Sequence, residues 1–160
     1  MTPLAWLIGL LLPACGSPGA QGLPVPPPLD IAQLTRPASP NTALAAPAGF
    51  RLTPDIATPT YRVPAPRLYA AILAVAAAQP RTYPAAAYPD RLQAAWVARS
   101  AMFNFPDLVT AQAAPAGADT STLVLYSRSV YGYGDLGANR KRVAAWLAAL
   151  DRTLNPANER

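Results

Sequence analysis

Apolar positions along the chain fall into two helical stripes with shorter alternating runs between them. In PAPRLYAAILAVAAAQP, residues 64 to 80, Leu68, Ile72, Val75 and Ala76 recur at i, i+4, i+7 and i+8, one face of a helix. Pro66 suits its first turn and Pro80 stops it. Towards the other end, Val143, Trp146, Leu147, Leu150 and Leu154 recur at i, i+3, i+4, i+7 and i+11. That stripe predicts a helix from about Leu136 to Leu154, with Asp135 as its N-cap and Asn155-Pro156 as its stop.

Between the stripes the period shortens. DLVTAQA (107 to 113) and STLVLYS (121 to 127) read as strands, and the Ala-Pro-Ala-Gly-Ala-Asp stretch between them predicts a hairpin with a long loop. DRLQAAWVARSAMF (90 to 103) admits two readings. As a strand it puts Leu92, Ala94, Trp96, Ala98 and Met102 on one face, with Arg91, Gln93 and Arg99 opposite. As a helix the two arginines also fall near one side. Trp96, Val97 and Phe103 fit a sheet surface and favour the strand. Helix, antiparallel strands, helix predicts an α+β fold: a small antiparallel sheet with two main helices packed on one face.

The preceding segment lacks either period. Residues 16 to about 60 carry ten prolines, from Pro18 to Pro59, which remove donors and fix φ. An extended, semi-rigid tether is expected there. Leu44, Phe50, Leu52 and Ile56 would be odd in a solvated linker, so Asn41 to Ile56 lying across the domain surface is the alternative.

The amino terminus adds an address. Leu4 to Leu12 has the length of a signal-peptide apolar region and is too short to span a bilayer. It runs into Leu12-Pro13-Ala14-Cys15, which resembles a bacterial lipobox. That resemblance implies cleavage before Cys15 and acylation of its sulfur and amine. The absence of Lys or Arg ahead of the run and Pro13 before Ala14 are atypical, and a plain signal peptide cut after Ala20 is the alternative. Gly16, where an Asp would resemble an inner-membrane retention signal, favours the outer membrane. The expected organisation is therefore a signal peptide over 1–14, lipidated Cys15 and tether over 15–59, partly docked from about 41. An α+β domain over 60–154 and a tail over 155–160 follow.

Composition narrows the chemistry. Hydrophobic residues make up 52% of the 160, but many are Ala, so the core must lean on a few large side chains. The net charge is +5, which permits anionic partners. There is no histidine, which removes the commonest general base and the familiar Ser-His-Asp and Cys-His nucleophile systems. One cysteine and no histidine make a zinc site unexpected. No cofactor, metal or nucleic-acid partner is expected. The expected partners are the membrane, through the N-terminal lipid, and an anionic envelope molecule or an envelope protein.

The densest polar stretch is SRSVYGYGDLGANRKR, residues 127 to 142, between the last strand and the last helix. Arg128, Arg140, Lys141 and Arg142 outweigh Asp135 there. Three of those cations fall where the helix dipole is positive and disfavours them. Two arrangements could offset that. Asp135 could cap the helix and pair with Arg128 or Arg142 while Asn139 ties down the glycine loop. Alternatively, exposed N–H groups and arginine forks could hold an anion. An enzyme acting on an anionic envelope substrate through Arg128 and Asp135 is the further alternative. Asp90 and Asp107 are the other carboxylates considered, Asp107 as a strand-start residue.

The pattern Ser127, Arg128, Ser129, Gly132, Asp135, Gly137, Asn139, Arg142 resembles the signature of the bacterial domain of unknown function 1499 family. Phe105-Pro106-Asp107 and the Ser39-Pro40-Asn41 triplet look like that family too. The resemblance covers roughly residues 38 to 153. Many members have Cys directly after that Asn, where this chain has Thr42. It implies domain boundaries and an exported or membrane-associated setting, but no reaction.

Overall fold

A computed structural model describes residues 13–155. The apolar run Leu4 to Leu12 and the tail beyond Asn155 lie outside the described residues. Six strands form one sheet: β1 (Thr42–Pro47), β2 (Ile56–Thr58), β3 (Thr82–Tyr88), β4 (Gln93–Arg99), β5 (Pro106–Pro115) and β6 (Ser121–Ser129). Their order is β2-β1-β6-β5-β4-β3, antiparallel throughout except for the β1–β2 pair. Helices α1 (Ala65–Ala77) and α2 (Ala138–Leu154) pack together on one face. The α+β expectation holds.

Both helical stripes are buried as their spacing requires. Leu68, Ile72, Val75 and Ala76 of α1 meet Val143, Trp146, Leu147 and Leu150 of α2 over Ala94, Trp96, Val109, Leu123 and Leu125 of the sheet. Trp96 and Trp146 meet edge to face, with ring centroids 5.4 Å apart and planes at 78°. Many of the strand positions beneath the helices are alanines, which bury little area each, so the large side chains such as these two indoles matter most to the core.

Three expectations change. The 90–103 segment is a strand, but a shorter one: Leu92 takes a left-handed φ of 48°, and Met102 sits in an exposed turn. Gln93 and Arg99 are as buried as their neighbours, because the sheet is covered on both faces. Helix α2 begins two residues later than expected, since Leu136 is left-handed and 98% exposed. The β3 edge strand, TYPAAAY, was not anticipated. Its Pro84 interrupts the pattern and coincides with a register shift between Pro84 and Ala86.

The largest difference concerns residues 15–59. Thr42–Pro47 is not a surface strap but an inner strand, hydrogen-bonded between β2 and β6. Upstream of it, the proline-rich segment lies along the sheet face that the helices leave open. There Leu34, Leu44, Ala46, Val124 and Tyr126 form a second apolar cluster, with Leu29, Ile31, Phe50 and Leu52 packed against it. Gln93, only 1% exposed, pins the segment through both its amide atoms: Nε2 donates to Leu29 O at 2.8 Å and Oε1 accepts from Leu29 N at 2.7 Å. Arg99 gathers the stretch before it, donating to the carbonyls of Ala14, Gly19 and Gln21. Proline leaves carbonyl acceptors while removing donors, so such a segment can be satisfied by side chains from the sheet.

Candidate functional site

The two-residue period of β6 divides the polar motif between the two faces of the sheet. Ser127 and Ser129 point towards α2, whereas Tyr126 and Arg128, paired with Leu44 and Thr42 of β1, point the other way. The motif therefore has a helix side and an open side.

On the helix side everything converges on Asn139, which is fully buried. Its Oδ1 accepts from Ser127 Oγ at 2.5 Å and from Arg142 Nη1 at 2.9 Å. Its Nδ2 donates to Asn41 O at 2.9 Å, Ser129 Oγ at 3.0 Å and Asp135 Oδ2 at 2.8 Å. Asn41 in turn donates through Nδ2 to Gly132 O, which closes the glycine loop onto the start of β1. One amide thus ties β1, β6, the loop and α2 together.

Asp135 caps α2 from two residues upstream. The cap position itself is Gly137, at a left-handed φ of 76° where a side chain would be strained. Asp135 Oδ1 accepts from Gly137 N at 2.9 Å and Oδ2 from Asn139 N at 2.8 Å. Burial pushes this carboxyl up, but the hydrogen bonds from Asn139 and Gly137 outweigh it and hold the group below the usual carboxylate range. Asp135 forms no ion pair with Arg128 or Arg142. The partner of Arg142 is Asp107, at 2.7 Å and largely buried, so the strand-start carboxylate of β5 offsets the cation near the helix start. Arg142 also donates to Ser127 Oγ at 3.1 Å.

On the open side Arg128 is exposed, and its guanidinium has no hydrogen-bond or ion-pair partner among the described residues. Arg140 and Lys141 are likewise exposed and unpaired on the first turns of α2. Arg128 and Asp135, the pair an enzymatic reading would join, serve different sides of the sheet. Asp90 is exposed in a short 3-10 turn, Pro89–Arg91. Among the described residues no group of three His, Cys, Asp or Glu comes together that could hold a metal ion.

Cys15 is buried in a single helical turn, Pro13–Gly16. Its carbonyl accepts from Asn104 Nδ2 at 2.6 Å. Burial pushes the thiol up, opposed in part by the charge of Arg99. No helix among the described residues is long and apolar enough to cross a membrane.

Sequence reasoning passed over Asn41, Arg36 and Tyr126 as site residues. The Ser39-Pro40-Asn41 triplet carried a signal for the first, and strand alternation around Arg128 one for the last. Arg36 had none, because its neighbours come from Asp55 and β1.

No curated protein and no solved structure matches the chain. A family model does: the one described as protein of unknown function (DUF1499), over residues 33–150, which is well over half of the 160. The matched span takes in β1 with Asn41, the Asp107 strand and the whole Asn139 network, and on that match the chain belongs to the DUF1499 family.

Proposed function

We propose that this chain is an exported envelope lipoprotein, acylated at Cys15, whose α+β domain is a binding module. The module presents the basic half of the 127–142 surface to an anionic envelope molecule or an envelope protein. One observation carries the binding reading: the motif's polar groups divide by role. Ser127, Ser129, Asp135, Asn139 and Arg142 satisfy one another and Asp107, whereas Arg128, Arg140 and Lys141 remain exposed with no partner among the described residues. The mutually bonded half ties the strand-to-helix junction together, and the free cations are left for a partner.

The anchor reading rests on the Leu12-Pro13-Ala14-Cys15 resemblance and on the apolar run before it. Gly16 after the cysteine favours the outer membrane. The buried thiol is closed to acyl transfer in the Pro13–Gly16 turn, and cleavage before Cys15 would remove Pro13 and Ala14, so acylated Cys15 would lie outside this packing. The test is cell fractionation of the wild type beside Cys15→Ser. The wild type is expected in the membrane fraction with a lipid-shifted gel mobility, and the variant in the soluble one. Unchanged fractionation and mobility would overturn the anchor.

A further inference from the structure

We propose that the cavity between the amino-terminal segment and the open face of β6 binds a phosphate group. Its ligands would be the Arg128 guanidinium, the Tyr126 hydroxyl and Nη1 of Arg36. The proposal rests on the binding-module reading and adds to it a defined site and a ligand chemistry.

The cavity measures about 680 Å³, within the range of small-molecule sites. One wall is β6, with Tyr126 and Arg128, and the other is the stretch from Leu29 to Asn41. Tyr126 is 4% exposed, and its hydroxyl has no hydrogen-bond partner among the described residues. The neighbouring Thr42 side chain accepts from Arg36 Nε at 3.0 Å. A buried hydroxyl left unpaired is unusual and calls for a partner. Burial pushes this phenol up; the charges of Arg128 and Arg36 and the neighbouring Thr42 side chain oppose the shift, and the Asp55 carboxylate, ion-paired with Arg36, adds to it.

Arg36 is fixed in place. Its Nη2 donates to Thr42 O at 3.3 Å and pairs with Asp55 at 2.9 Å. Its Nη1 has no partner among the described residues and stays available. Two guanidinium groups and a phenol approaching from β6 and from the strand-leading loop suit a tetrahedral oxyanion with several acceptor oxygens. The one carboxylate on the wall, Asp30, is engaged in its own turn, accepting from Ala32 N at 3.0 Å. Leu29, Leu34 and Val130 supply an apolar side for the rest of a phosphate ester or a lipid headgroup.

The test uses the full chain carrying Cys15→Ser, so that acylation cannot itself hold it to lipid. Inorganic phosphate and glycerol phosphate are titrated against sodium chloride of equal ionic strength, following the backbone amide shifts of Arg128 and Gly132. Saturable shifts are expected. Arg128→Gln and Tyr126→Phe should each weaken binding roughly tenfold, the loss of one charge-assisted or buried hydrogen bond. Tyr126→Phe removes an unsatisfied group, so its thermal midpoint should not fall, which separates lost binding from lost folding. Phosphatidylglycerol vesicles that compete for the same shifts identify a lipid headgroup as the source; vesicles that do not compete identify a soluble phosphate. The absence of saturable shifts with either phosphate and of sedimentation with the vesicles overturns the site, as does binding that survives either substitution unchanged. Fractionation of wild type against Cys15→Ser is independent of these readouts, so the anchor and the phosphate site can fail separately.

Discussion

A single amide at position 139 does what a longer charged side chain could not. Asn presents two donors and an acceptor within a small planar group, and here each is used inside the core. Removing it leaves Ser129 Oγ without its partner, and takes one of two partners from Ser127 Oγ and from Asn41 O, which keep Arg142 Nη1 and Ser129 N. Asn139→Ala should therefore destabilise the domain by about 2–4 kcal/mol, measured by urea denaturation. Asn139→Asp keeps the shape but loses the Nδ2 donors facing Asp135, and should be no better. Arg142→Ala acts through a different term. It strands Asp107, 6% exposed, without its counter-charge, and should cost about 3 kcal/mol at neutral pH. Arg142→Ala together with Asp107→Ala should consequently be less damaging than Arg142→Ala alone. Equal damage would show that the ion pair is not what holds the helix start.

At the scale of elements, the start of α2 shows what sequence could and could not reveal. The stripe from Val143 to Leu154 fixed the helix face, since an i, i+3, i+4 pattern has one geometric solution. Its first residue was harder to place, because Leu136 looks helical by composition yet takes the left-handed φ that brings Gly137 into the cap position. Asp135 was legible as a cap, but its distance from Arg128 and Arg142 was not, for that depends on how β5 and β6 register. Likewise, alternation in STLVLYS marked a strand, whereas nothing in TALAAP or TYPAAAY, built of small residues and proline, distinguishes a strand from an extended linker. Sheet position is a long-range property, decided by what β6 and β4 offer at their edges. The cap itself yields a pH prediction. The Asp135 carboxyl ionises at a lower pH folded than unfolded, so the unfolded chain binds more protons in that interval. The contribution is whole above the unfolded value of about 4 and is lost as pH falls through the folded one. Asp135→Ala should cost about 1 kcal/mol at pH 7, and the gap between wild type and variant should narrow below pH of about 4.

For the molecule as a whole, the decisive feature is that the sheet is covered on both faces by different kinds of structure. Helices cover one side with large side chains. On the other, a chain too rich in proline for regular structure is held by the sheet's own polar residues, Gln93 and Arg99. Arg99 is 4% exposed and has no carboxylate partner among the described residues, only carbonyls. Burial lowers its pKa, chiefly by desolvating the charge. A free spacer could be deleted without consequence; this segment should not be. In a variant lacking residues 1–32, Arg99 loses three of its four acceptors and Gln93 loses both bonds to Leu29. The expected loss is at least about 3 kcal/mol, with a fall in thermal midpoint and increased binding of a hydrophobic dye to the uncovered Leu44, Val124 and Tyr126 cluster. Part of that loss is electrostatic and part is apolar exposure, and a second substitution separates them. Arg99→Leu should destabilise the full chain, where it discards four hydrogen bonds, yet restore stability to the shortened one, where it removes an uncompensated cation. A shortened chain as stable as the full one, with no gain from Arg99→Leu, would mean that residues 13–32 rest on the sheet without contributing to the fold.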